Sequence, residues 1–273
     1  MYNTEQFAAL IEELNILYQG RKEDIIEKQK RKEQKFLNFC NILRPLYEYE
    51  QKRINETYIK PFIEQNVFLK EKSILEIIKK QSHETYHSLL LKHLLSSPNI
   101  LHSFIQQIEN IPNKELLLSL ILNGNYSVEE EVSTNKNKRI DLLITDNENG
   151  WLIAIENKIF SSVNIFSKGR TQLDHYFQYL KSNSKFRLFT NKVYILLSLT
   201  DNSQYTNDRE WLYANYYQIF KAIIENNPND AIAQDYLKTL YLLLFECRDI
   251  GENIGQSLSQ SNNFYKQIIL KIK

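Results

Sequence analysis

Residues 139–159 read RIDLLITDNENGWLIAIENKI, and they carry the most informative pattern of the chain. Two runs rich in β-branched and apolar residues flank the segment TDNENG, whose Asn, Asp and Gly residues favour a tight turn. The sequence therefore predicts an antiparallel hairpin of two strands, 139–145 and 151–158. Both strands carry charged residues, which either mark a site or show a strand end that runs out into solvent.

The charged residues of the hairpin are expected on one face. Because successive side chains of a strand alternate between faces, Glu156 and Lys158 point the same way and Asn157 points the other way. Counting back from the turn, Asp141 lies across from Ile155 or Glu156 and reaches Glu156 in either register. Two carboxylates and one ammonium group should therefore meet on one patch of the sheet.

Such a patch favours a divalent metal ion. Neighbouring carboxylates raise each other's proton affinity unless a cation lies between them. Hard oxygen ligands without His or Cys select Mg²⁺ or a similar ion, and the carbonyl of Asn157 could supply a further oxygen. Lys158 could orient or deprotonate an attacking water, or stabilise the negative charge of a transition state. The patch suits the hydrolysis of a phosphodiester.

A third carboxylate is expected near this patch. Apolar spacing predicts a helix from about residue 73 to 95, and on a helical wheel Glu84 lies in line with Ile77 and Leu91, inside the stripe that faces the core. An unpaired core Glu is costly, which favours a functional role. The alternative is a helix boundary near Ser82 that leaves Glu84 in water as a first-turn charge.

The order of elements predicts an α/β fold with a mixed central sheet. Short β-branched segments bounded by Asn, Asp, Gly or Ser predict strands, and a helix is expected between the third and the fourth. Within this helix Gln172 and Tyr176 share one face and could reach the patch, although such a pair more often serves packing. The predicted strands are 126–132, 139–145, 151–158 and 192–199, and the helix is 170–180.

Helices are expected on both sides of this core. A short amphipathic helix should begin near Thr4 and end at Gly20, and Pro45 and Pro61 predict breaks or first-turn positions in further helices. The segment AIAQDYLKTLYLLLFE is apolar enough to be a buried helix. The predicted organisation is a helical extension over 1–75, the α/β domain over 76–250 and a helical tail over 251–273.

Composition excludes several protein classes. The chain has 273 residues, 42% of them hydrophobic, and a net charge of +1, which neither demands nor excludes a polyanionic partner. It has no apolar run of the roughly 20 residues that span a bilayer, and its N-terminus lacks the pattern of a secretion signal. We therefore expect a cytoplasmic protein that does not associate with membranes.

These motifs together resemble the PD-(D/E)XK nuclease superfamily. The succession RIDLLI, a short turn, IAIENKI and TQLDHY is similar to its core, with Asp141 as the motif's Asp and Glu156, Asn157 and Lys158 as its (D/E)XK. The motif's Pro is replaced by Ile140, as in many divergent members. The segment ETYHSLLLKHLLSSPN resembles the first helix of an uncharacterised bacterial branch, and the resemblance extends from about residue 84 to 245.

The resemblance implies a restriction-endonuclease-like αβββαβ core that cleaves nucleic acid with Mg²⁺ or Mn²⁺. It carries metal binding onto Asp141 and Glu156, the role of the catalytic lysine onto Lys158, and an accessory metal or structural role onto Glu84. It also implies helices after the core.

Three further residues follow from the resemblance. Gln172 and Tyr176 match the Gln-x-x-x-Tyr pattern of an exonuclease-like branch, in which the Gln helps to position the site. Glu131 is a candidate neighbour of the site, and a solvated acidic strand end is its alternative explanation.

The implied activity is a metal-dependent nuclease in bacterial defence, with DNA favoured over RNA as its substrate and RNA cleavage left open. The alternative is a catalytically silent module with this fold that binds nucleic acid or oligomerises. The long amphipathic N-terminal helices suggest a homodimer, and an activator or partner protein is a further possibility. The sequence leaves the choice between endonuclease and exonuclease action open, as well as any sequence specificity.

Overall fold

A computed structural model describes residues 4–134, 138–166, 169–207, 209–226 and 229–246 of the chain. The chain divides into two compact units, Met1–Pro61 and Phe62–Lys273. The boundary predicted between residues 75 and 76 lies inside the second unit, and the predicted tail over 251–273 lies outside the described residues. The functional division of the chain stays a prediction.

The first unit consists mainly of one helix, α1, which runs over 51 residues from Thr4 to Ile54. The predicted end at Gly20 is wrong, and Pro45 also lies inside the helix. A glycine lowers helix stability by only about 1 kcal/mol, so strong helix formers on both sides can continue the helix through it. Ion pairs at i, i+4 spacing, such as Lys28 with Asp24 at 2.7 Å, support the exposed middle of α1.

A short helix crosses the boundary between the two units and contains Pro61 in its first turn, a position that proline tolerates. The single helix predicted over 73–95 is wrong, because it divides in two around Lys79, which has a left-handed φ of 56°. Among the described residues, no helix combines the length and the apolar composition that a membrane span requires. The helices are α2 (Lys60–Gln65), α3 (Ile74–Ile77), α4 (Glu84–Leu95), α5 (Pro98–Gln106), α6 (Lys114–Leu122), α7 (Gln172–Ser182), α8 (Tyr216–Asn226) and α9 (Ala231–Tyr241).

The sheet of the second unit has five strands in the order β1-β2-β3-β4-β5. The pairs β1·β2 and β2·β3 are antiparallel, whereas β3·β4 and β4·β5 are parallel. The strands are β1 (Ser127–Ser133), β2 (Arg139–Asp146), β3 (Trp151–Lys158), β4 (Asn191–Ser198) and β5 (Trp211–Asn215). The mixed sheet and its flanking helices confirm the predicted α/β, restriction-endonuclease-like class. β5 is a fifth strand beyond the four that periodicity predicted.

Helices cover both faces of this sheet. On one face α7 buries Leu173, Tyr176 and Leu180 in a core cluster that includes Leu152 and Ala154 of β3. On the other face α4 packs against β1, β2 and β3, while α5 packs against α6 and α8, and α8 against α9. Every residue of β3 is buried, as expected for a central strand covered on both sides. Charged residues at its end are therefore not solvated.

Candidate active site

The β2–β3 hairpin brings Asp141 next to Glu156. The last registered pair before the site is Leu142 with Ile155, so Asp141 and Glu156 are the next residues along the two strands. The backbone N–H of Asn157 donates to Oδ2 of Asp141 at 2.7 Å. This bond holds the Asp141 carboxylate against the end of β3.

The turn of the hairpin fixes this register. Asp146 Oδ1 accepts hydrogen bonds from the backbone N–H groups of Glu148 and Asn149, each at 2.9 Å. Gly150 closes the turn with a φ of 67°, a conformation that favours glycine. Because a shift by one residue would turn every side chain of β3 to the opposite face, this turn determines that Glu156 faces α7.

Lys158 lies between two carboxylates at the end of β3. Its Nζ is 2.7 Å from Oε1 of Glu156 and 3.3 Å from Oε2 of Glu84. Glu156 is 1% exposed and Lys158 is 5% exposed. A buried ammonium group needs such partners, because an unpaired charge in the interior is strongly destabilising.

Glu84 contacts Lys158 from the start of a helix, whereas the sequence suggested a position in the middle of one. It is the first residue of α4, so the boundary considered as an alternative exists, with His83 at the cap position. The side chain is nevertheless only 29% exposed and is directed at the end of β3. Its Oε1 accepts from the backbone N–H of Ile159 at 3.1 Å and from Oγ of Ser161 at 2.6 Å.

Gln172 contacts Glu156 from the face covered by α7. Its Nε2 donates to Oε1 of Glu156 and lies 3.3 Å from the hydroxyl of Tyr176. A capping box formed by Thr171 and Asp174 starts α7 and thereby fixes the position of Gln172. Tyr176 itself donates to the carbonyl of Arg139 at the start of β2.

The side chain of Asn157 points to the opposite face of the sheet. Its Nδ2 lies 3.2 Å from Oγ of Ser88, and its Oδ1 accepts a hydrogen bond from the hydroxyl of Tyr216. The N–H and C=O groups of one strand residue point to the same side of the strand. The carbonyl of Asn157 therefore lies on the side of β3 on which its N–H meets Asp141.

Glu131 borders the site from β1. Its neighbours Glu130 and Val132 pair with Leu142 and Ile140, so Glu131 lies at the level of Asp141. It has a left-handed φ of 52°, which is unusual for a residue other than glycine within a strand. Its Oε2 is 3.0 Å from Nε of Arg139.

The buried carboxylates strongly affect each other's protonation. Burial raises the pKa of Asp141 to about 6, against the opposing effects of Lys158 and the N–H of Asn157. Burial and the nearby Asp141 raise the pKa of Glu156 well above its ordinary range. Burial lowers the pKa of Lys158, but Glu156 and Asp141 outweigh it, so the net shift is upward.

The same groups suit a hard divalent cation. Within the described parts of the chain, no three His, Cys, Asp or Glu side chains stand close enough together to hold a metal ion as they are. Lys158 supplies the positive charge between Glu84 and Glu156 instead. Oε2 of Glu156, however, is buried without a hydrogen-bond partner. A free buried carboxylate oxygen beside other oxygen donors fits Mg²⁺ or Mn²⁺.

Sequence reasoning missed the residues that hold Asn157 and Glu84, namely Ser88, Ser161 and Tyr216. The adjacent pair His87 and Ser88 stood in the segment that resembles the bacterial branch, and this was the only signal for Ser88. Tyr216 lies in an aromatic-rich segment, and nothing in its spacing distinguishes it from core residues.

Comparison with known protein families gives a match over most of the chain. The family model described as "PD-(D/E)XK nuclease superfamily" matches residues 72–267. Neither the curated proteins nor the solved structures gave a significant match to the chain.

Proposed function

Because the chain belongs to the PD-(D/E)XK nuclease superfamily, we propose that it is a metal-dependent nuclease that hydrolyses phosphodiester bonds, with DNA as its preferred substrate. The observation that carries the proposal is the cluster formed by Asp141, Glu156 and Lys158. The cluster is buried, and Oε2 of Glu156 has no hydrogen-bond partner in it. A purely structural cluster would be expected to satisfy that oxygen.

Four groups of the chain would hold the ion. These are the carboxylates of Glu84, Asp141 and Glu156 and the carbonyl of Asn157. A bound Mg²⁺ or Mn²⁺ would polarise a phosphate oxygen and lower the pKa of a water molecule. The chain's own contribution is to fix these donors, since Gln172 and the N–H of Asn157 each hold one carboxylate by a hydrogen bond.

Lys158 acts in this proposal as a fixed positive charge. Its neighbours Glu156 and Asp141 raise its pKa, so its ammonium group is protonated at neutral pH. A protonated amine cannot accept a proton from water. It can orient the attacking water and stabilise the negative charge that develops on the phosphate, a type of interaction that contributes strongly to catalysis.

The experiment that tests the proposal is a cleavage assay with a panel of substrates. The full chain is incubated with plasmid DNA, linear double-stranded DNA, single-stranded DNA and RNA, each with Mg²⁺, Mn²⁺ or EDTA. We expect cleavage of DNA that EDTA abolishes. The plasmid separates endonuclease from exonuclease action, because a circular duplex has no end for an exonuclease to attack.

A matched pair of lysine variants tests whether the cleavage activity depends on this site. Lys158→Met should abolish cleavage, whereas Lys192→Met, at the opposite end of the adjacent strand β4, should not, because the Lys192 ammonium group donates to the carbonyl of Leu180, away from the cluster. Equal loss in both variants, or no loss in either, would contradict the proposed site.

The biological part of the proposal is a role in bacterial defence in the cytoplasm. Its support is the resemblance of residues 84–99 to a bacterial branch of the superfamily. Expression of the chain in a bacterial host, with Lys158→Met as the inactive control, should lower the plating efficiency of phage if this role is correct. An activator protein is also part of the proposal, and a pull-down from infected cells would identify it.

One observation favours a second function, that of a silent module that binds nucleic acid or oligomerises. Lys158 already neutralises the carboxylates, and no ready three-acid metal set exists among the described residues. In that case the chain would bind DNA or form oligomers without cleaving any substrate of the panel.

A further inference from the structure

Helix α1 exposes a dense group of large apolar side chains in its second half. Phe36 is 66% exposed, Phe39 57%, Leu43 43% and Leu46 63%. An isolated helix in water gains little stability by itself and usually depends on packing of its apolar face. An exposed apolar stripe of this kind is the usual mark of a protein interface.

The spacing of these four residues is that of a coiled coil. They follow one another at intervals of three, four and three residues, which places Phe36 and Leu43 at a positions and Phe39 and Leu46 at d positions of a heptad. Pro45 falls at an outward c position, so its ring lies outside the seam, although the proline removes one backbone hydrogen bond of the helix. The same heptad places Lys32 and Glu50 on the seam, one at each end of the apolar group.

The pattern complements itself only when a second copy runs in the opposite direction. With a twofold axis near residue 41, Phe36 faces Leu46 and Phe39 faces Leu43. The same register places Lys32 against Glu50 of the second copy at both ends of the contact, where Glu50 also pairs with Arg53 of its own helix at 2.7 Å. A parallel pair would instead place Lys32 against Lys32 and Glu50 against Glu50, which repel each other.

We propose that residues 29–53 of α1 bind the same segment of a second copy of this chain as an antiparallel coiled coil. The contact is about 37 Å long at 1.5 Å per residue. The contact also covers Ile42, which is 68% exposed. On one side of the axis the Ile42 residues of the two chains lie side by side, and on the other side the two Cys40 residues do.

The first test measures the mass of the full chain by sedimentation over a range of concentrations. The wild type should shift from monomer to dimer, and Phe39→Glu with Leu43→Glu should remain monomeric at every concentration that gives wild-type dimer. Leu37→Glu is the matched control, because Leu37 is 54% exposed on the same helix but lies outside the seam. A monomeric wild type, or a dimer that survives the double substitution, overturns the proposal.

The second test distinguishes the antiparallel from the parallel arrangement. Lys32→Glu should raise the dimer dissociation constant about fivefold, because it replaces an exposed ion pair, which contributes up to about 1 kcal/mol, by two acidic groups at each end. Adding Glu50→Lys should restore dimerisation, since both pairs are then reversed. A parallel coil predicts no gain from the second change.

The third test uses Cys40, which is a free thiol. In a Cys247→Ser background, mild oxidation should give a covalent dimer that reduction reverses, and Cys40→Ser should give none. The absence of this cross-link in a protein that sediments as a dimer overturns the proposed register.

Discussion

At the scale of single residues, the site is a cluster of buried carboxylates neutralised by one lysine. Asp141 and Glu156 are adjacent across the hairpin and both have raised pKa values. Such groups destabilise the folded chain when they are charged, and they persist in proteins where function requires them. Removing one of these charges should therefore raise the free energy of unfolding and lower the rate of cleavage.

Asp141→Asn should stabilise the metal-free protein and abolish cleavage. The pKa of Asp141 is raised to about 6 in the folded chain. Above pH 6 the charged form of Asp141 therefore lowers the free energy of unfolding, by about 3 kcal/mol for a pKa shift of this size. Asn carries no charge, and its Oδ1 can still accept from the N–H of Asn157. Denaturant unfolding at pH 8 in EDTA measures the gain.

Asp201→Asn is the control for this prediction, because Asp201 is an exposed carboxylate that caps the turn at Ser203 and lies outside the cluster. It should change neither the free energy of unfolding nor the cleavage rate. A loss of stability in Asp141→Asn would show that the carboxylate is a structural member of an ion pair.

Gln172→Ala should weaken activity without unfolding the protein. Gln172 donates to Glu156, and groups that orient a metal ligand in this way typically contribute about 10- to 100-fold to affinity or rate. We therefore expect a higher Mg²⁺ concentration for half-maximal cleavage. Gln178→Ala, an exposed change on the same helix, should leave the Mg²⁺ dependence unaltered.

At the scale of elements, the first turn of α4 is held by a buried histidine. His87 Nε2 lies 2.9 Å from the carbonyl of Gln81, and Nδ1 lies 2.9 Å from the hydroxyl of Tyr236. A carbonyl can only accept, so Nε2 carries the proton and Nδ1 accepts from Tyr236. These bonds connect the segment before α4 to α9, and Glu84 lies at the start of α4.

His87 should make the protein less stable as the pH falls from 6.5 to 4. Burial lowers its pKa to about 4, so in this window the unfolded chain binds a proton that the folded chain does not. Stability therefore rises with pH across the window, by about 3 kcal/mol in total for this shift. The measurement is the free energy of unfolding of the wild type and of His87→Gln at pH 4, 5, 6 and 7.

The difference in the free energy of unfolding between the wild type and His87→Gln reports the effect of His87 separately from that of the buried carboxylates. It should diminish as the pH falls through the window, because only the wild type must keep an imidazole neutral. His93→Gln, an exposed change on the same helix, serves as the control and should parallel the wild type. Parallel curves for all three proteins would refute the role assigned to His87.

Helix α1 should gain stability from Gly20→Ala. Gly20 is helical, and a Cβ added there would have no atom within 4 Å. Alanine should therefore stabilise the helix by about 1 kcal/mol and slow amide exchange near residue 20 about fivefold. Gly124→Ala is the opposite case, because its φ of 76° strains any other residue, and it should lower the stability of the second unit.

At the scale of the whole molecule, the features that could be predicted from the sequence are those set by residues close together in the chain. Strand alternation and a polar turn were enough to place Asp141 beside Glu156, because both residues belong to one hairpin. The approach of Glu84 depends on a helix break at Lys79, and its left-handed backbone has no clear signature in the sequence. Tyr216 reaches Asn157 only through the packing of α8, which periodicity cannot specify.

Whether Asp141 belongs to a metal-dependent active site is tested most directly by the rate of Mg²⁺-dependent DNA cleavage by the wild type, Asp141→Asn and Asp201→Asn. All three proteins are compared at pH 8 after unfolding curves show that each is folded. We expect the wild type and Asp201→Asn to cleave at equal rates and Asp141→Asn to be inactive, although Asp141→Asn is the most stable of the three without metal. Cleavage by Asp141→Asn at the wild-type rate would show that Asp141 is not part of the active site.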